Sequence, residues 1–263
     1  MTSLETWLWV FLFVVALPAF AVGCTLFIRR RVGTDVLARH NDVAGFIYAV
    51  VGVVYAVLLG FTAIIVWEQF RDAQSTVERE ADALVDLYRD SRVFPPEARD
   101  AVELHVRAYA RLAVEKEWRA MAEGHSSDEV WEEYNQLWRT YHEFEPATDY
   151  QRIWYAESLR RLNELADARR GRLLSVHSSV PFVMWAVLIG GCAITLGFSF
   201  MFGTRNTRAQ AIMTAGLALM IGGVLLSIFA LQEPFAGITR VDPEPFHQVG
   251  RILEQWRQPA GAP

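Results

Sequence analysis

Four long stretches of this sequence carry no formal charge, and they decide what it can fold into. They run from Trp7 to Ile28, Val43 to Trp67, Val180 to Phe202 and Ala209 to Leu231. A helix needs about 20 apolar residues to cross the hydrocarbon core of a bilayer. All four stretches reach that length without an Asp, Glu, Lys or Arg. Buried helices of a soluble core rarely run so long uncharged, so four transmembrane helices are predicted. The first stretch contains Ala19-Phe20-Ala21, a small-x-small pattern that also occurs at leader cleavage sites. No basic residue precedes it, and it exceeds the roughly 7–15 apolar residues of a leader core. A retained helix is the better reading.

The charge is concentrated elsewhere. Between Gln69 and Ser178 lie 16 basic and 22 acidic side chains, 38 of the 55 in the chain (25 basic, 30 acidic). The sequence therefore divides by solvent. Residues 1–68 hold transmembrane helices 1 and 2, 69–178 a polar domain, 179–231 transmembrane helices 3 and 4, and 232–263 a tail. The polar segment shows no alternating strand pattern. Ala73, Val77, Ala81, Leu84 and Tyr88 share one helix face, with no breaker between them and Trp67, so the second membrane helix is expected to continue as a stalk. Pro95-Pro96 ends it and opens a helix carrying Val102, Val106, Tyr109, Leu112 and Ala113, which stops at Gly124. Ser126 with Glu129 reads as a capping box before an aromatic stripe of Trp131, Tyr134, Trp138 and Tyr141. Thr148 with Gln151 reads as a second box before the last helix, which carries Trp154, Leu162, Leu165 and Leu173. The fold class expected is all-α, four transmembrane helices with an antiparallel helical bundle inserted between helices 2 and 3. The prolines at 234, 243, 245, 259 and 263 argue against a long helix in the tail. Phe246, Ile252, Leu253 and Trp256 could there form one short amphipathic turn at the membrane surface.

Catalytic patterns do not emerge. The six histidines are scattered, with no metalloprotease spacing, and no Gly-x-Ser-x-Gly elbow occurs. Two cysteines, Cys24 and Cys192, make neither a disulfide framework nor a metal module. No catalytic residue, metal or cofactor is predicted. A mildly acidic chain, net charge −5, has no electrostatic footprint for nucleic acid. Glu78, Glu80, Asp82 and Asp86 form an acidic run, read as a solvated helix face rather than a cation site.

The second membrane helix has the most specific pattern. Gly45, Ala49, Gly52, Ala56, Gly60 and Ala63 fall within about 80° of one another at ~100° per residue. Such small-residue faces let helix backbones approach closely in lipid, and they favour tight bundles and homo-oligomers. Tyr48, Tyr55 and Thr62 recur every seven residues beside that face. Their hydroxyls either hydrogen-bond to neighbouring helices or line an aqueous pathway at an oligomer axis. Gly190, Ala193 and Gly197, and Ala211, Ala215, Ala218 and Gly222, give the third and fourth helices similar faces. Arg29, Arg30, Arg31 and Arg39, with Arg205 and Arg208, place the first and third loops in the cytoplasm. The polar domain would then be extracytoplasmic.

The segment His40-Asn41-Asp42-Val43-Ala44-Gly45, followed by Gly52, Tyr55, Val57, Leu59-Gly60-Phe61 and Trp67, resembles the opening of a bacterial bestrophin-like family of unknown function. The resemblance continues through Glu80-Ala81, Tyr109, Glu117-Trp118, Arg169-Arg170, Pro181, Trp185 and Pro234-Phe235-x-Gly237. One departure is Gln232, with Glu233 beside it, where an acidic residue is expected before the closing Pro-Phe. The resemblance implies a pentameric anion channel lined by the second membrane helix, with the helical domain cytosolic. The loop arginines point the other way on sidedness and are given more weight. Two functions follow: an oligomeric passive ion channel, with the lipid bilayer and further copies of the chain as its partners, or a membrane-anchored sensor or scaffold that binds a ligand or partner through its polar domain.

Overall fold

The computed structural model describes residues 3–33, 37, 41–204 and 206–257. Arg39 and Arg205, used above for orientation, and His40 lie outside the described residues. Every regular element described is helical, and four helices are long and apolar enough to cross a membrane. The chain separates into two compact units. The first comprises residues 1–68, 179–232 and 237–239, the second 69–178, 233–236 and 240–263.

In the first unit, α1 (Ser3–Phe11) passes through a π-helical turn (Leu12–Ala16) into α2 (Leu17–Val32). Pro18 occupies the first turn of α2 and lacks an N–H, so the ladder must open just before it. The widened turn does this, with the Leu17 N–H reaching back to the Leu12 carbonyl. Helix α3 runs unbroken from Asn41 to Ser91, so the stalk predicted beyond Trp67 is helical throughout. Helices α8 (Phe182–Phe200) and α9 (Thr207–Leu231) complete the membrane spans. The Asn206 side chain caps α9, accepting from the N–H groups of Arg208 and Ala209. The core joins Phe13, Ala21, Leu59, Leu188, Leu196 and Leu225.

Close backbone approach occurs at one glycine of the predicted stripes. A Cβ on Gly222 would lie 2.3 Å from the Phe13 carbonyl oxygen, so α9 can seat against the π turn only with glycine there. On α8 the close contact belongs to Gly191 rather than to the predicted Gly190 or Gly197. A Cβ at Gly191 would meet the Tyr55 ring at 2.4 Å, whereas those at Gly190 and Gly197 meet nothing within 4 Å.

The second unit contains the polar part of α3, then α4 (Pro96–Leu112), a π turn (Ala113–Glu117), α5 (Trp118–Ala122), α6 (Asp128–Glu143), α7 (Asp149–Ser175) and α10 (Glu244–Arg257). Gly124, at φ +83°, ends α5 in a conformation that glycine tolerates best. Thr148 caps α7 as predicted, accepting from the Gln151 N–H at 3.1 Å, while Gln151 accepts from Ala147 N–H at 2.9 Å. The box expected at Ser126 and Glu129 does not form. The cap is Ser127, whose hydroxyl donates to Glu129 while its N–H donates to Glu117. The tail also departs from expectation. It forms a 14-residue helix packed within this unit, with Phe246, Val249 and Leu253 buried and Trp256 stacked on Tyr88. Pro243 and Pro245 lie just before and within its first turn, where a missing N–H costs nothing.

Candidate functional site

Two polar arrangements stand out, one in each unit. In the membrane unit, α3 presents two unlike faces. One carries Tyr55, Leu59, Thr62 and Val66, all buried. The Tyr55 hydroxyl donates to the Leu188 carbonyl at 2.9 Å, and the Thr62 hydroxyl to the carbonyl of Leu58 at 2.9 Å. Within the protomer both hydroxyls have a carbonyl acceptor, that of Tyr55 on a neighbouring helix, which is one of the two roles the sequence left open. A polar side chain at membrane depth is stable only with a partner, and both find one in a backbone carbonyl. Tyr48 is half-buried, its ring edge-on to Phe202 at 5.4 Å.

The other face of α3 is uncovered. Phe46, Val50, Val53, Val57, Phe61 and Ile64 are exposed. The predicted packing stripe lies beside it. Ala49, Ala56 and Gly60 are exposed and Gly45 and Gly52 half-buried. A Cβ on Gly52 or Gly60 would meet nothing within 4 Å, and one on Gly45 only Phe202, at 3.8 Å. Within the protomer these small residues therefore bring no helix close.

At the ends of this unit, polar groups pair across the helices. Asn41 and Gly203 exchange two hydrogen bonds, Nδ2 to the Gly203 carbonyl at 2.9 Å and Gly203 N–H to Oδ1 at 3.1 Å. The Arg29 guanidinium donates to the Thr204 carbonyl at 2.6 Å and to Gln210 Oε1 at 2.9 Å. Trp185 Nε1 donates to Gln232 Oε1 at 3.0 Å. An amide at position 232 is thus a neutral acceptor at the corner where an acid was expected.

In the second unit, four charged side chains share one buried cluster. Arg172 and Glu80 are both fully buried. Arg172 grips Glu80 with two parallel bonds, Nε to Oε2 at 2.6 Å and Nη2 to Oε1 at 2.7 Å. Its Nη2 also donates to Glu117 Oε2 at 2.6 Å. Arg169 donates to both oxygens of Glu117, Nη2 to Oε1 at 2.5 Å and Nε to Oε2 at 3.3 Å, and to the Ser127 carbonyl at 3.2 Å. The Tyr109 hydroxyl donates to Glu80 Oε1 at 2.7 Å. Trp118 and Phe246 lie 5.3 and 5.7 Å from the Arg172 guanidinium carbon, and Trp131 lies 5.3 Å from that of Arg169. These are cation–π distances. Two arginines and two glutamates leave no net charge, and bidentate pairing satisfies the fork of Arg172.

Burial alone would raise the Glu117 carboxyl. The charge of Arg172 and the hydrogen bonds and charge of Arg169 outweigh it and hold Glu117 below its usual range. Tyr109 is pushed well above the ordinary phenol range, first by burial and then by the Glu80 charge. Glu117 therefore stays ionised around neutrality and Tyr109 stays a neutral donor. The cluster contains no free nucleophile and no proton acceptor waiting to be filled. Glu80 consequently departs from the solvated face read for its acidic run, although Glu78 and Asp82 do face solvent. The aromatic stripe is likewise occupied by its own neighbours: Tyr134 and Tyr141 are buried, and Phe94 packs on Tyr141 and Phe144.

A family model for the bestrophin-like domain matches residues 15–246. The chain belongs to the bestrophin-like family. It is a membrane protein of that family, with four helices long and apolar enough to span a bilayer. Among solved structures, a bacterial bestrophin homologue from Klebsiella pneumoniae superposes with a TM-score of 0.70 at 14% identity, covering 92% of this chain and 97% of that one. A point variant of a bestrophin homologue from the same organism gives a TM-score of 0.72 at 14% identity, over 92% and 98%. A further crystal structure, of a membrane protein, gives 0.70 at 15% identity, over 93% and 99%. These likenesses show a shared fold. No curated protein matches in sequence. In this bestrophin-like chain, four residues that carry the sequence resemblance, Glu80, Tyr109, Glu117 and Arg169, meet in the buried cluster. Tyr55 and Trp185 each make a polar contact within the membrane unit. Sequence reasoning missed Arg172, whose only signal was an arginine at the spacing of the apolar positions of α7.

Proposed function

We propose that the chain assembles into a homo-oligomeric passive ion channel, with the uncovered face of α3 bordering the pathway. The carrying observation is that face itself. It is long, lies on a membrane-spanning helix of a bestrophin-like protein, and has no cover within the protomer. Val53, Val57, Phe61 and Ile64 replace Tyr55 and Thr62 as the lining, because the two hydroxyls are engaged inside the protomer. The small residues Ala49, Gly52, Ala56 and Gly60, open within the protomer, would let neighbouring copies pack closely. No charge lies on α3 between Val43 and Trp67. Ions would meet an apolar constriction that opens by wetting rather than a ring of charged side chains. Conduction of anions rests on the bestrophin plan alone, as does a pentamer.

The test is ion flux in liposomes containing the purified chain. Conductance by the intact oligomer supports the reading, and its absence under every potential and ion tried refutes it. For sidedness we keep the loop arginines' reading, with the polar unit outside the bacterial plasma membrane. A single cysteine introduced at Glu145, in a chain whose two cysteines are replaced by alanine, decides it. Labelling by an impermeant reagent on intact cells supports the outside position, and labelling only after lysis reverses it.

A further inference from the structure

We propose that the membrane unit holds an anionic phospholipid in an apolar groove along α1 and α2, with its headgroup at Arg30 and Arg31. The proposal is independent of whether the chain conducts ions. A groove of about 850 Å³ lies between the first span and helices α8 and α9. A second of about 500 Å³ continues it along α2, the two sharing Phe20 and Phe200 as walls. On the first span the groove is walled by Trp9, Phe13, Phe20 and Phe27, a stretch of 19 residues or roughly 27 Å of helix. That is close to the ~30 Å hydrocarbon thickness of a bilayer. Its walls are almost wholly apolar, so the occupant must be a hydrocarbon chain or another apolar surface.

The end of the groove selects between these. Arg29, Arg30 and Arg31 follow directly on the last wall residues. Arg29 is committed to Thr204 and Gln210, but Arg30 and Arg31 remain exposed. The Arg31 guanidinium lies 5.4 Å from the ring centroid of Phe27, itself a groove wall. An apolar trough ending in exposed cations is complementary to an acyl chain with an anionic headgroup. A second copy of the chain would have to bring an apolar ridge ending in carboxylates. The exposed face of α3, flanked by Asp42 and Glu68, is the competing occupant, and the variant at Gly23 below distinguishes it from lipid. Gly23 keeps the trough open: it lines the groove, and a Cβ there would meet nothing within 4 Å.

The experiment is native mass spectrometry of the full chain released from micelles containing phosphatidylglycerol and phosphatidylcholine with identical acyl chains. We expect retained phosphatidylglycerol in excess, with the preference falling by about thirtyfold in the Arg30→Gln, Arg31→Gln double variant, at about 1 kcal/mol for each arginine near the headgroup. Gly23→Phe fills the trough and should lower retention of both lipids. If that variant does not fold, the double arginine variant decides alone. Equal retention of the two lipids by the unaltered chain overturns the proposal. So does an unchanged preference in the double variant. A Gly23→Phe chain that folds and breaks the oligomer while keeping its lipid also overturns it, because the groove would then be a contact between copies.

Discussion

The two units bury polar groups in opposite ways. In the membrane unit, the buried side chains Tyr55, Thr62 and Gln210 are neutral: Tyr55 and Thr62 each reach one carbonyl, and Gln210 meets the Phe202 carbonyl and Arg29. In the polar unit, four charges share one site and satisfy one another. The difference follows from the surroundings. In lipid an unpaired charge has no water to retreat to, so helices carry only dipoles and meet through glycine. In an aqueous domain a charged cluster can be enclosed, provided that each fork and each carboxylate oxygen is matched. The membrane unit therefore depends on shape and the polar unit on pairing, and substitutions should separate the two.

The largest effect is expected at Arg172. Arg172→Met leaves Glu80 and Glu117 buried and short of partners, and should cost about 3–5 kcal/mol. Thermal unfolding of the purified chain, followed by loss of helix signal, checks it. Next comes Gly222→Ala, which drives a methyl group into the Phe13 backbone and should cost about 1–3 kcal/mol by overpacking. Its signature is lost stability of the membrane spans with the polar unit's packing intact. A melt at Arg172→Met levels for Gly222→Ala would blur the contrast between the units.

Acid should act through the polar unit. The Glu117 carboxyl is held low in the folded chain, so its contribution is fully present above the unfolded carboxylate range near ~4.3. It is lost as the pH falls through the lowered folded value. Melting temperature measured from neutral pH down into that window should drop, and Glu117→Gln should lose this part of the dependence while starting from lower stability. The smallest effect is expected at Tyr55→Phe, which removes one hydrogen bond to Leu188 in the membrane unit. Such bonds in membranes average about 0.6 kcal/mol. A larger loss would mean that the membrane unit also leans on pairing.

The parts legible in the sequence were those set by local pattern. Uncharged runs gave the four spans, Pro96 and Gly124 marked helix ends, and Thr148 with Gln151 marked a cap. The parts that were not legible depend on partners distant in the chain. Glu80 looks like its exposed neighbours because the acidic run has no apolar signature, and its partner Arg172 is 92 positions away. Gly191 and Gly190 are adjacent, and only the Tyr55 ring separates their roles. The tail prolines argue against a long helix, yet Pro243 and Pro245 open one of 14 residues, since proline is tolerated in a first turn. The heptad of Tyr48, Tyr55 and Thr62 was visible, but not which side of the helix its own protomer would cover.

The most direct test of the account compares those two sides of α3. Val57→Cys and Tyr55→Cys are made separately in the chain with both native cysteines replaced, and flux is measured in liposomes before and after a water-soluble thiol reagent. The account predicts that modification blocks flux through Val57→Cys and leaves Tyr55→Cys unaffected. Block at Tyr55→Cys with Val57→Cys untouched would contradict it.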